Sequence, residues 1–196
     1  MEFAPVPSTD ERSESGSGIL DEVDEIDLAS RLLEAQNEAH LGTVIEDAIR
    51  SAATALGANL NPAAMKEIAS VHKTAIRQLL PSAKANGNFP RHDSIGAHLG
   101  QSLSSSAEQV LGLELEGLSH EDREFEAVKQ FLRFLGETVK NVTEDADARN
   151  TPDRVLRAAK EAAALYAPGL FADSFSSGNR SGRWIACENR IILLGV

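Results

Sequence analysis

From Ser119 to Val142 the chain reads SHEDREFEAVKQFLRFLGETVKNV, and its apolar residues Phe125, Val128, Leu132, Leu135, Val139 and Val142 recur at steps of three and four. That spacing puts all six on one stripe of an α-helix, the seam by which a helix packs on other helices. Phe131 and Phe134 widen the stripe, so the segment needs cover on more than one side. Ser119 can cap its N-terminus, with Glu121 and Asp122 placing negative charge at the positive end of the helix dipole. A segment of this kind makes the rest of the fold its cover. The expected architecture is mainly α, a bundle of five to seven helices with a short C-terminal β-hairpin.

The covering helices are marked by their own stripes and end signals. Ile26 to about Gln36 carries Leu28, Ala29, Leu32 and Leu33. Asn37 caps a second segment with Leu41, Val44, Ile45, Ile49, Ala52 and Leu56, which Gly57 closes by taking the left-handed turn. Asn61-Pro62 is a restart, a capping side chain followed by proline at the first helical position. That third helix runs through Met65, Ile68, His72, Ala75, Ile76 and Leu79 and stops at Pro81. Helical spacing resumes over 95–111, with Ile95, Leu99, Leu103, Ala107, Val110 and Leu111. Thr151-Pro152 opens the last helix, whose face is Val155, Ala159, Ala162, Leu165 and Tyr166, and Ala167-Pro168-Gly169 ends it.

Along 95–111 the small residues Gly96, Gly100 and Ser104 recur every four positions. Each glycine costs a helix about 1 kcal/mol relative to alanine, so something must offset it. Close packing against another backbone does so most simply. A membrane-inserting hairpin is the other reading, opposed by Gln101, the serines and the short length.

Composition divides the chain into five parts. Residues 1–18 form a disordered acidic arm, rich in Pro, Ser, Gly and acids, that stays solvated or orders only on a partner. Residues 19–80 hold the N-terminal helices, 81–94 a polar loop or hinge, and 95–173 the core bundle. Residues 174–196 form a β tail, in which RWIAC and RIILL are separated by Glu188-Asn189. Asn tolerates positive φ, so a tight hairpin is expected there.

The net charge is −11, and the first 27 residues carry nine of the 30 acids against one base. The acidity is therefore assigned to the tail, and the remainder is nearly balanced. Without a basic stripe or stacking aromatics, nucleic acid is not an expected partner. The single Cys187 excludes an internal disulfide framework. There is no secretory signal pattern and no apolar run near the ~20 residues of a membrane span. The expected location is the cytoplasm, with export by a signal-less machine leaving no trace in the sequence.

Chemistry is hard to find. The five histidines, His40, His72, His92, His98 and His120, fall at no metal-ligand spacing. His72 lies on a helix stripe and reads as a hydrogen-bonded core or boundary residue rather than a ligand. Asp145 and Asp147 begin like a calcium loop, but Arg149 and Asn150 break it. No G-x-S-x-G elbow or phosphate loop is present, and Cys187 in an apolar strand reads as packing. No cofactor, metal or enzymatic activity is expected.

The ending Gly182, Arg183, Trp184, Ile191, Leu193 and Gly195 fits the form G-R-W-x-x-x-x-x-x-I-x-L-x-G. With the acidic arm, the glycine-punctuated middle and the segment LELEGLSHEDREFEAVKQFLRFLG, it resembles a group of uncharacterised bacterial proteins over about residues 20 to 196. In that group the hairpin carries a basic residue and a glycine, where this chain has Ala186, Cys187, Glu188 and Asn189. The resemblance implies no mechanism.

The functional expectation is a non-enzymatic interaction or self-assembly protein. It would form a homo-oligomer through Trp184, Ile185, Ile191, Ile192, Leu193 and Leu194, and its acidic arm would meet a protein partner. A lone hairpin is marginal in water, so these strands lie across their own helices or pair with a neighbouring copy. The competing expectation is a membrane-active or export-linked effector acting through 95–111. A small hydrolase comes a distant third.

Overall fold

The computed structural model describes residues 18–80, 94–144 and 152–171, together with the backbone of 183–187 and 190–194. The arm before Gly18, most of the 81–94 loop, His92, Asp93, the Asp145–Asp147 segment and the polar stretch before Arg183 lie outside the described residues. Six α-helices are present among the described residues. They are α1 (Glu22–Leu33), α2 (Glu38–Ala55), α3 (Pro62–Leu79), α4 (Ile95–Ser105), α5 (His120–Glu144) and α6 (Pro152–Tyr166). A π turn, Ala107–Leu111, follows α4.

Helix starts are fixed by side-chain caps. Asp21, Asn37, Asn61, Ser94 and Ser119 each accept from the backbone N–H three residues on, at 2.7 to 3.1 Å. A cap of this kind contributes about 1 kcal/mol by occupying an otherwise unpartnered donor. The end of α2 is a Schellman motif. Gly57, at φ +62°, donates to the Thr54 carbonyl, and Ala58 donates to that of Ala53. At the end of α3, Leu80 turns extended (ψ 128°), as a residue preceding proline must.

α5 is the hub and packs against α1, α2, α3, α4 and α6. Its Val128, Phe131, Leu132, Phe134, Leu135 and Val139 are fully enclosed. Around them stand Leu32 of α1, Ile45 and Ile49 of α2, Ile68 and Ile76 of α3, and Leu99 and Leu103 of α4. From α6 the core takes mainly alanines, namely Ala158, Ala159, Ala162 and Ala163, which let the two backbones approach closely.

Four expectations need correction. α1 begins at Glu22, a full turn before Ile26, because Asp21 supplies the cap. The acids Glu22, Asp24, Glu25 and Asp27 therefore belong to the bundle and not to a tail. The helix expected over 95–111 breaks at Ser106, where Ser105 and Ser106 turn their hydroxyls back to the Gln101 and Ser102 carbonyls and compete with the helical ladder. Leu165, expected on the α6 face, is 65% exposed. It lies at the edge of a stripe whose centre is Val155, Ala159 and Ala162.

Candidate functional site

The glycine face of α4 is a docking surface for the end of α1. A Cβ on Gly96 would collide with the carbonyl oxygens of Leu32 and Leu33. Position 96 is therefore closed to any side chain. In return, the Gly96 N–H donates to the Ala35 carbonyl at 2.9 Å, which gives a partner to one of the donors left over in the first turn of α4. Gly100 faces the Leu33 methyl and the Glu124 Cβ of α5. Ser104 is not drawn into this contact. It is half-buried and donates to the carbonyl of Gln101. The face that a membrane-inserting helix would have to present is thus occupied by α1 and α5.

A second close contact joins α1 to α5. Arg133 holds Glu25 in a bidentate pair, at 2.6 and 3.1 Å, and the Glu25 side chain is only 7% exposed. The guanidinium is held more firmly protonated than usual by that hydrogen bond, burial working against it. Sequence reasoning placed Glu25 among the tail acids, yet a signal was present. Glu25, Leu28, Ala29 and Leu32 share one helical stripe, so the carboxylate sits at a core position and calls for a cation opposite.

The third feature is an aromatic cluster around His72 in the centre of the bundle. The imidazole is fully buried, 4.6 Å from the Phe134 ring and 5.8 Å from Phe131. Its Nδ1 lies 2.9 Å from the Ile68 carbonyl. A carbonyl can only accept, so Nδ1 carries the proton and Nε2 is a bare lone pair. Among the described residues no hydrogen-bond partner reaches the buried Nε2. Burial pushes the imidazole pKa down to about 4, against a smaller upward effect of the Ile68 carbonyl. The reading of His72 as a hydrogen-bonded core residue holds for one nitrogen and not for the other.

Between α3 and α6 runs a groove of about 350 Å³, floored by Val71, Ala75 and Phe171 and lipped by Leu156. Among the described residues no three His, Cys, Asp or Glu side chains are grouped to hold a metal ion. None of the described helices is long and apolar enough to cross a membrane.

Compared with known families, curated proteins and solved structures, the chain matches none.

At the C-terminal end, β1 (Arg183–Cys187) and β2 (Arg190–Leu194) pair antiparallel as a two-stranded sheet. The side chains of Trp184, Ile185, Ile191, Ile192, Leu193 and Leu194 lie outside the described set, but the register is given. Trp184 stands opposite Leu193, Ala186 opposite Ile191 and Ile185 opposite Ile192.

Proposed function

We propose that this is a non-enzymatic interaction or self-assembly protein that forms homo-oligomers through its C-terminal strands. The observation that carries the reading is the strand register. Directly opposed residues share a face of an antiparallel ribbon, and neighbours along a strand alternate. Trp184, Ala186, Ile191 and Leu193 therefore share one face, all apolar. Ile185 and Ile192 fall on the other, flanked by the pairs Arg183 with Leu194 and Cys187 with Arg190. A ribbon of two strands is marginal in water, and this one has apolar positions to cover on both faces.

One subunit can cover one face. The second face, and the strand edges left open in a two-stranded sheet, favour a neighbouring copy as the cover. The helical body supplies a rigid carrier, and the acidic arm is left to meet a protein partner. The bacterial group with the G-R-W ending fits this reading only as a resemblance.

Trp184 is the sole tryptophan, which makes the test direct. Its emission maximum should shift to the red on dilution, in step with a falling particle mass. A maximum that stays put while the mass falls would place Trp184 outside the contact between copies. Binding to anionic vesicles without self-association would favour the membrane-active reading, which requires α4 to leave α1.

A further inference from the structure

We propose that His72, Phe134 and Phe171 form an acid-sensitive clasp, in which protonation of the buried imidazole loosens α3 from α5 and frees the root of the C-terminal segment. The clasp is a continuous stack. His72 of α3 packs on Phe134 of α5 with ring centroids 4.6 Å apart, and Phe134 meets Phe171 edge-on at 6.4 Å. Phe171 is the last described residue before the C-terminal strands, and it is buried to 9% exposure. What holds Phe171 down is therefore, on one side, the ring that His72 supports.

The only place for a second proton on the imidazole is Nε2, and that atom is enclosed with no acceptor. An imidazolium there would bring a charge into a shell of Phe131, Phe134 and helix backbone. Among the described residues no carboxylate bonds the ring. On α5, Arg133 pairs with Glu25 of α1, and Lys140 pairs with Glu137. On α3 itself, Lys73 pairs with Glu46 and Arg77 with Glu38, both partners on α2. The buried ionisable groups of α4 and α6 are His98 and Arg154, and neither is a carboxylate. Burial opposes the ring's second proton, and the Ile68 carbonyl favours it less strongly. A charged ring is better accommodated in water, outside the stack.

The direction with pH follows from linkage. The closed state refuses a proton until about pH 4, whereas an exposed imidazole takes one near 6.5. The clasp is at full strength above pH 6.5 and weakens as pH falls from there toward 4. Between pH 8 and pH 5 the opening constant should rise about thirty-fold. The proposal stands whether or not the strands assemble, because it concerns only the root of the segment.

Hydrogen exchange on the full-length protein at pH 8 and pH 5, corrected for the intrinsic pH dependence of exchange, tests it. Protection in α3 and over Ala167–Phe171 should fall about thirty-fold in the wild type, while α1 keeps its protection. In His72→Leu the fall should vanish. Unchanged protection in the wild type, the same fall in His72→Leu, or an equal fall in every helix would each overturn the proposal. If His72→Leu does not fold, His72→Asn, which retains a donor for the Ile68 carbonyl and does not titrate, takes its place. An NMR titration of the His72 ring needs no variant. A ring that charges near pH 6.5 with α3 still protected would contradict the clasp.

Discussion

A single hydrogen atom at position 96 decides whether α4 can reach α1. The carbonyls of Leu32 and Leu33 stand where a Cβ would go, and backbone cannot step aside as a side chain can. At position 100 the nearest obstacle is a Leu33 methyl, the movable end of a flexible side chain. Gly96→Ala should therefore cost at least about 2 kcal/mol in urea unfolding, as overpacking against an immobile neighbour does. Gly100→Ala should stay within about 1 kcal/mol of the wild type, since better helix propensity offsets the displaced methyl. Equal costs at the two positions would mean that α1 does not end on α4. The spacing of Gly96, Gly100 and Ser104 was legible in the sequence, but the partner was not. Nothing in a run of small residues says that a helix end, with its spare carbonyls, is what fills the space. Ser104 shares the spacing and not the contact, for the same reason. For Glu25 the stripe called for a cation but could not say which, since Arg133 is far away in sequence and only the folded bundle brings the two together.

At the scale of elements, end signals were the most readable part of the chain. A cap needs only a side-chain oxygen and an N–H three residues away, so Asn37, Asn61 and Ser119 announce themselves locally. Asp21 met the same requirement and was hidden by the acids around it. At Ser106 the serine hydroxyls share the Gln101 and Ser102 carbonyls with the helical ladder, a local bonding pattern that apolar periodicity does not register. α5 was legible throughout because its stripe is long and its two flanking phenylalanines leave no alternative face. Leu132 lies at the middle of that stripe and is fully buried. Leu132→Ala should lower stability by about 2–5 kcal/mol, the range for a leucine whose removal leaves a cavity. Calorimetry would show it as a fall in Tm. A loss below about 0.5 kcal/mol is what a surface site gives, and would mean that α5 is not the hub.

At the scale of the whole molecule, two kinds of cohesion divide the chain. The helical body closes on itself. α5 is surrounded, and the glycine face is occupied. The surface charges are tied in pairs such as Arg31 with Asp27 and Asp47, which contribute little individually. The register of the C-terminal ribbon places apolar positions on both faces. We propose that a second copy covers them. Light scattering on the full-length chain and on a chain ending at Gly182 tests this most directly. The full chain should show an oligomeric mass that grows with concentration, and the shortened one a helical, folded species of monomer mass. A shortened chain that keeps the full-length particle mass would contradict it.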